Sequence, residues 1–298
     1  MLAISFRLDA QITEVTILED NFDSYTAGNY LAQQSSLWTT WSDAPGTAED
    51  AYVSDDQAYS TPNSVIIDAP TNMGTQDLVL PLGNLTSGHY KLSFQVFVAT
   101  GKGGYFNMQH DETPGIEWSW EMYFSSAGTY KLYAAGDSAD GTFTNGQWNL
   151  LEIDMDLNQD LATMIFAGDT VFAWQFSLKT DGTAGMKKIG GMDYFSYAPG
   201  TDLVEYYIDD VLFVRYDYTG IEQQSPLNIS VYPNPTKGML YLDGVTADEV
   251  IVIDFAGNEL LYAKGDITSV DLSNTSKGVC FVKIVVDGIV TVKRIMLL

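Results

Sequence analysis

The chain has 298 residues, with 39 acids against 14 bases, a formal net charge of -25 at pH 7 and 46% hydrophobic residues. That field repels phosphate backbones and anionic lipid heads, which excludes nucleic acid and membrane-surface partners; the apolar content is enough for a large core and excludes disorder. A single cysteine rules out an internal disulfide framework and a thiolate metal cluster, and no run is long and apolar enough for a membrane-spanning helix.

Residues 1–10, Met1 to Ala10, read as the tail of a secretory signal peptide and are set aside from the fold. From residue 11 to about 220 almost nothing carries helical periodicity. Short alternating or β-branched runs follow one another instead. They are Ser64 to Asp68, Leu78 to Leu82, Tyr90 to Ala99, Tyr105 to Gln109, Glu117 to Phe124, Thr129 to Ala134, Trp148 to Leu157, Leu161 to Ala167, Val171 to Phe176 and Glu205 to Tyr216. So many strands over about 200 residues predict one large two-sheet sandwich. In Glu117 to Phe124 the alternation sets Trp118, Trp120, Met122 and Phe124 on a core face. Glu117, Glu121 and Tyr123 then form the candidate ligand face. Glu152, Asp154 and Asp156 alternate with Leu151, Ile153, Met155 and Leu157, so three carboxylates share one strand face. The glycine-rich, aromatic segment Lys179 to Gly200 reads as a long binding loop or an irregular connection.

The opening Leu18-Glu19-Asp20-Asn21-Phe22-Asp23-Ser24-Tyr25, the run from Trp148 to Trp174 and the closing Tyr207-Ile208-Asp209-Asp210-Val211-Leu212-Phe213 resemble the concanavalin-like jelly roll. Legume lectins, laminin-G-like modules and the laminarinase family share that sandwich. The resemblance implies two sites. One is a structural calcium ion tying the first strand to the last, with Asp209 as a ligand and Glu19 or Asp20 as a second. The other follows from Glu152-Ile153-Asp154-Met155-Asp156, which is similar to the Glu-x-Asp-x-Glu strand of laminarinases. Glu152 would be nucleophile, Asp154 helper and Asp156 acid/base of a retaining hydrolysis. Asp156 is one methylene shorter than the glutamate of that pattern, and a solvated acidic strand face is the competing reading.

Residues 221–225 form a short polar linker. From 226 to 298 the chain turns nearly neutral, with eight acids and six bases. Short β-runs alternate with turn signals there, among them Asp287-Gly288, and predict a small Ig-like β-sandwich. Its opening Tyr232-Pro233-Asn234-Pro235-Thr236-Lys237-Gly238, its Leu272-Ser273 followed by Lys277-Gly278, and its basic, apolar end at Lys293 and Arg294 resemble the C-terminal sorting domain of the type IX secretion system of Bacteroidetes.

The expected protein is therefore all-β, a concanavalin-like jelly roll followed by a small Ig-like sandwich. It is secreted or held at the outer cell surface. The first domain binds a glycan or cell-surface polysaccharide or mediates adhesion, and the second engages the secretion machinery. A laminarinase-type hydrolase and a structural surface component are the alternatives.

Overall fold

The computed structural model describes residues 11–219, 229–254, 257–286 and 289–298. The expected signal-peptide remnant at 1–10, the expected linker at 221–225 and the predicted Asp287-Gly288 turn lie outside the described residues. The chain divides into two compact units, one of them Ile12–Tyr218 and the other containing Thr219–Leu298.

The first unit is built from fifteen strands and one short helix. In chain order these are β1 (Gln11–Asp20), α1 (Leu31–Gln34), β2 (Thr39–Thr40), β3 (Tyr52–Ser54), β4 (Ser64–Ala69), β5 (Met73–Leu85), β6 (His89–Val98), β7 (Gly104–Gln109) and β8 (Trp118–Phe124). Then come β9 (Thr129–Ala134), β10 (Asp137–Thr142), β11 (Trp148–Asp156), β12 (Leu161–Phe166), β13 (Asp169–Gln175), β14 (Ile189–Tyr197) and β15 (Val204–Thr219). An eight-stranded sheet runs β13-β12-β11-β6-β15-β4-β3, with β1 also paired to β15; a seven-stranded sheet runs β10-β9-β8-β7-β14-β5-β2. Chain neighbours such as β6 and β7 lie in different sheets, so the chain crosses between layers as in a jelly roll.

Period-two alternation sends one face of each sheet inward. Leu92, Phe94 and Val96 of β6 and Leu151, Ile153 and Met155 of β11 meet Phe106 and Met108 of β7 and Met192 and Tyr194 of β14 in one core. Phe94 sits edge-on to Phe106 and to Tyr194, with ring centroids 5.3 and 5.5 Å apart, and so links the two layers.

One predicted connection is a central strand. Lys179 to Gly200 contains β14, which pairs with both β5 and β7 in the middle of the seven-stranded sheet. Its Gly190 and Gly191 lower strand propensity, which hides it from pattern reading. They are there for space. A Cβ at Gly190 would lie 2.2 Å from the Asp111 backbone, and one at Gly191 would lie 2.9 Å from the Leu80 carbonyl.

The second unit holds β16 (Ser230–Tyr232), β17 (Met239–Asp243), β18 (Ala247–Asp254), β19 (Glu259–Ile267), β20 (Ser269–Asp271), β21 (Gly278–Val286) and β22 (Ile289–Leu297). A three-stranded sheet, β16-β17-β20, and a four-stranded sheet, β19-β18-β21-β22, share a core of small apolar side chains that includes Leu240, Val250, Val282, Ile284 and Cys280. The Tyr-Pro-Asn-Pro-Thr run is a stitch onto the last strand. The Asn234 side chain donates to the Arg294 carbonyl at 3.0 Å and accepts from the Met296 amide at 2.9 Å. Thr236 adds a backbone pair, donating to Met296 O and accepting from Leu298 N. A Cβ at Gly238 would lie 2.2 Å from Ser273 Oγ, so a larger residue there would force the Ser273 side chain aside.

Replacing Asn234 with alanine removes both side-chain bonds of the stitch, at about 1 kcal/mol each. Asn234→Ala is expected to lower the stability of this unit by about 1–2 kcal/mol and to speed hydrogen exchange at the Met296 amide. Exchange unchanged at Met296 would show that the stitch does not hold β22.

Candidate functional site

On the outer face of the seven-stranded sheet, antiparallel register lines up two rows of functional side chains. One row is Tyr133–Glu121–Asn107–Asp193, on β9, β8, β7 and β14. The next is Lys131–Tyr123–Tyr105–Phe195–Asp77, which reaches β5. Five strands at about 4.8 Å spacing carry this second row over roughly 20 Å. Two hollows follow the rows and share Glu121. One of about 420 Å³ is lined by Glu121, Tyr123, Lys131, Tyr133, Tyr197 and Pro199. The other, of about 300 Å³, is lined by Trp41, Asp77, Tyr105, Asn107, Trp118, Glu121, Asp193 and Phe195.

A register slip decides the lining. Gln109 pairs with Trp118 and Met108 with Trp120, so Ser119 is bulged out of the β7–β8 ladder. Trp120, Met122 and Phe124 go to the core as expected. The bulge turns Trp118 to the outer face, where it stacks on Trp41 with centroids 6.3 Å apart. The same turn removes Glu117 from the expected ligand face. Its carboxylate bonds instead to the buried His110 ring at 2.8 Å and takes the Met186 amide. Burial pushes the His110 pKa down while the hydrogen bonds to Glu117 and to the Phe176 carbonyl pull it back up, and the histidine serves as a structural partner of Glu117. Glu121 and Tyr123 stand in the groove as expected.

The groove floor is a fixed polar network. Glu121 Oε1 accepts from Tyr105 OH at 2.8 Å and Tyr123 OH at 3.0 Å. Asn107 Nδ2 donates to Asp193 Oδ2 at 2.6 Å and to Tyr105 OH at 3.2 Å. Asp77 and Asp193 lie close enough for their charges to interact. Desolvation first, and then their mutual repulsion, raises the pKa of the Asp77 carboxyl; desolvation raises that of Asp193. The pair thus retains a shared proton above the usual carboxylate range. Sequence reading did not single out Asp77, Asn107, Asp193 or Trp41. The register of β14 brings the first three together, and β14 is the strand its glycines conceal.

On the other sheet the three carboxylates of the alternative, catalytic reading of β11 all have partners. Glu152 lies 3.6 Å from Lys91 Nζ, and Asp154 is held by His89 Nε2 at 2.8 Å. Asp156 is nearly buried and caps the β11–β12 turn, accepting from Asn158 N, Gln159 N and Gln159 Nε2. Its carboxylate is spent on the turn, so the acid/base role for Asp156 is set aside, and with it the pair that retaining hydrolysis needs.

The calcium site expected at the sheet ends does not fit its donors either. Asp209 Oδ2 accepts from Tyr59 N and Ser60 N, and Oδ1 from Asp210 N. Asp20 accepts from Phe22 N, Tyr25 OH and Trp38 Nε1. Glu19 is exposed. Both buried carboxylates are ringed by hydrogens, the wrong polarity for a cation. Burial pushes the Asp209 pKa up to about 7 against those N–H donors. Among the described residues no group of three or more His, Cys, Asp or Glu is placed to hold a metal. Regular alternation would put Asp210 on the opposite strand face from Asp209. A slip in β15 between Asp209 and Leu212, with Asp210 at φ 48°, lets it join Asp209 on the Tyr59–Ser60 turn by accepting from Ser60 Oγ at 2.7 Å.

Residues 230–297 match the family described as a secretion system C-terminal sorting domain. The second unit is a type IX sorting domain. The protein is therefore exported, to the cell surface or beyond it. In the sorting domain Tyr232 stacks on Tyr241 at 5.7 Å, Pro233 and Pro235 flank the stitching Asn234, Lys293 is half-buried and Arg294 is exposed. No curated protein matches the chain in sequence. Among solved structures it is similar to a sialidase at 12% identity and TM-score 0.43, covering 66% of this chain and 19% of that one. It is also similar to a cellulose-induced protein at 13% and 0.44, covering 66% and 96%, and to an alginate lyase of polysaccharide lyase family 7 at 14% and 0.42, covering 61% and 96%. The chain thus spans about a fifth of the sialidase's length.

The raised carboxyl pair fixes the sign of a pH dependence. Below about pH 4 an aspartate is protonated in folded and unfolded chains alike, and the pair costs nothing. As pH rises, the unfolded chain ionises first, so stability falls until the folded pair has also lost its proton. Asp77→Asn keeps a hydrogen-bonding group and removes one ionisation. Its melting temperature is expected to fall less than that of the native chain between pH 5 and 8, as followed by calorimetry. Parallel curves would show that the pair is not coupled.

Proposed function

We propose that the exported chain presents a non-catalytic glycan-binding sandwich, with the groove of the seven-stranded sheet as its site. The observation that carries this reading is the two-row lining. Flat aromatic faces at Trp41, Trp118, Tyr123, Tyr133 and Tyr197 alternate with the hydrogen-bonding Glu121, Asn107 and Asp193. A sugar ring offers an apolar C–H face and an edge of hydroxyls, and it needs this combination of ring and acceptor side by side. Lys131 sits 4.9 Å from the Tyr133 ring centroid, which orders the far end of the groove. The strong negative charge of this unit disfavours anionic polysaccharides and leaves neutral or cationic ones. Adhesion, on this reading, is glycan binding at the cell surface. The sorting domain supplies the address.

Isothermal titration of the full chain against neutral oligosaccharides tests the reading. Tyr123→Ala and Trp118→Ala are each expected to weaken binding about tenfold, the equivalent of about 1.4 kcal/mol. Glu152→Gln, on the other sheet, is expected to leave binding unchanged, and no reducing sugar should be released. Loss of affinity in Glu152→Gln with none in the groove variants would move the site to the other sheet.

A further inference from the structure

The floor of the smaller hollow has a surplus of hydrogen-bond acceptors. Asp77 Oδ1, Asn107 Oδ1 and Asp193 Oδ1 are all buried and all without a donor. Asn107 is fully buried and Asp193 is 3% exposed, and both line the hollow. Apart from the proton kept by the carboxyl pair, the donors of the floor residues are spent on other oxygens. Asn107 Nδ2 is used by Asp193 and Tyr105, while the Tyr105 and Tyr123 hydroxyls are used by Glu121. No basic side chain lines this hollow. A buried acceptor without a donor is costly, so a ligand that brings donors to the floor is favoured.

The walls narrow the choice. Trp41 stacks on Trp118 at one side, and Tyr105 and Phe195 meet edge to face, 6.4 Å apart, at the other. Ring faces around a site attract cations. A primary ammonium carries three N–H donors and no acceptor, which matches three unpartnered oxygens. It also neutralises the charge that makes the carboxyl pair costly. A neutral hydroxyl brings one donor and no charge.

From this we infer that the floor at Asp77, Asn107 and Asp193 is an ammonium subsite, and that the preferred glycan carries free amino sugars. The inference rests on the glycan-binding reading and specifies its ligand. Entry of the ammonium displaces the proton shared by Asp77 and Asp193, so binding releases a proton and tightens as pH rises, for as long as the amine stays charged. The other groups facing the pair act in the same field. They are Glu49 and Glu121 on the groove side, the Tyr105 hydroxyl beside it, and Tyr194 and Tyr206 beneath. The acids add attraction for the cation, and burial raises the pKa of all three tyrosines, which keeps them neutral.

The test is titration calorimetry of the full chain with three probes of the same length and linkage: a β-linked glucosamine pentasaccharide, its N-acetylated form and the glucose pentasaccharide. Each is measured at pH 6.0 and pH 7.0, in two buffers of different ionisation enthalpy. The expected result is at least tenfold tighter binding of the glucosamine form, with an observed enthalpy that differs between the buffers because protons are released. Asp193→Asn and Asp77→Asn should each erase most of that preference, two variants guarding against one that fails to fold. Glu152→Gln, an equal charge change on the other sheet, should not. Equal loss in Glu152→Gln would reduce the effect to general attraction of a polycation and overturn the subsite. Neutral sugars binding as tightly as the amine would overturn it too while leaving the glycan-binding reading standing. No binding of any probe would end both.

Discussion

The pairing register around β7 is the constraint on which the rest depends. β7 is central, and every residue on it faces either the core or the groove. Phe106 and Met108 fill the core, so Tyr105 and Asn107 must face outward. A slip of one residue would exchange the two sets, burying a network of polar groups and exposing the core. The hydrophobic demand of the sandwich thereby places the polar groups, and the groove is the reverse side of the core's packing. Its side chains are held by strands and not by loops, which keeps the rings and carboxyls at fixed spacing.

Polarity is distributed unequally over the two outer faces. On the eight-stranded sheet the charged groups find partners. Lys91 lies between Glu14 and Glu152, Asp154 meets His89, and Asp156 and Asp209 are consumed by turns. On the seven-stranded sheet acceptors outnumber donors. Native structures leave few such groups unsatisfied, and those that remain point to a ligand or a strained function. The acids that look most chemical in sequence are those the fold has used up, and those that remain open are scattered through runs that look unremarkable.

The strand alternation made much of this legible. β9 falls where its pattern places it, β11 is the acidic strand expected, and the sorting domain follows its motif. The groove was half legible. Glu121 and Tyr123 could be read because β8 alternates cleanly from Trp120 onward. Trp118 and Glu117 could not, because a bulge at Ser119 is a pairing event and leaves no mark in a single strand's pattern. Asp193 lay behind Gly190 and Gly191, whose purpose is to admit the Asp111 backbone and the Leu80 carbonyl, contacts between parts of the chain far apart in sequence. Asp77 and Asp209 show the same limit. Local sequence gives a carboxylate's strand face, and only tertiary structure gives its partners.

The stitch at Asn234 changes what kind of signal the sorting motif is. Asn234 touches Arg294 and Met296, sixty and sixty-two positions later. The Pro-Asn-Pro opening and the basic tail are therefore two halves of one object, assembled in space and absent from either segment alone. During synthesis the opening emerges first and waits for its other half. The address becomes whole only after β22 has been made and has docked. A receptor that reads both halves together would read a folded module instead of a linear word.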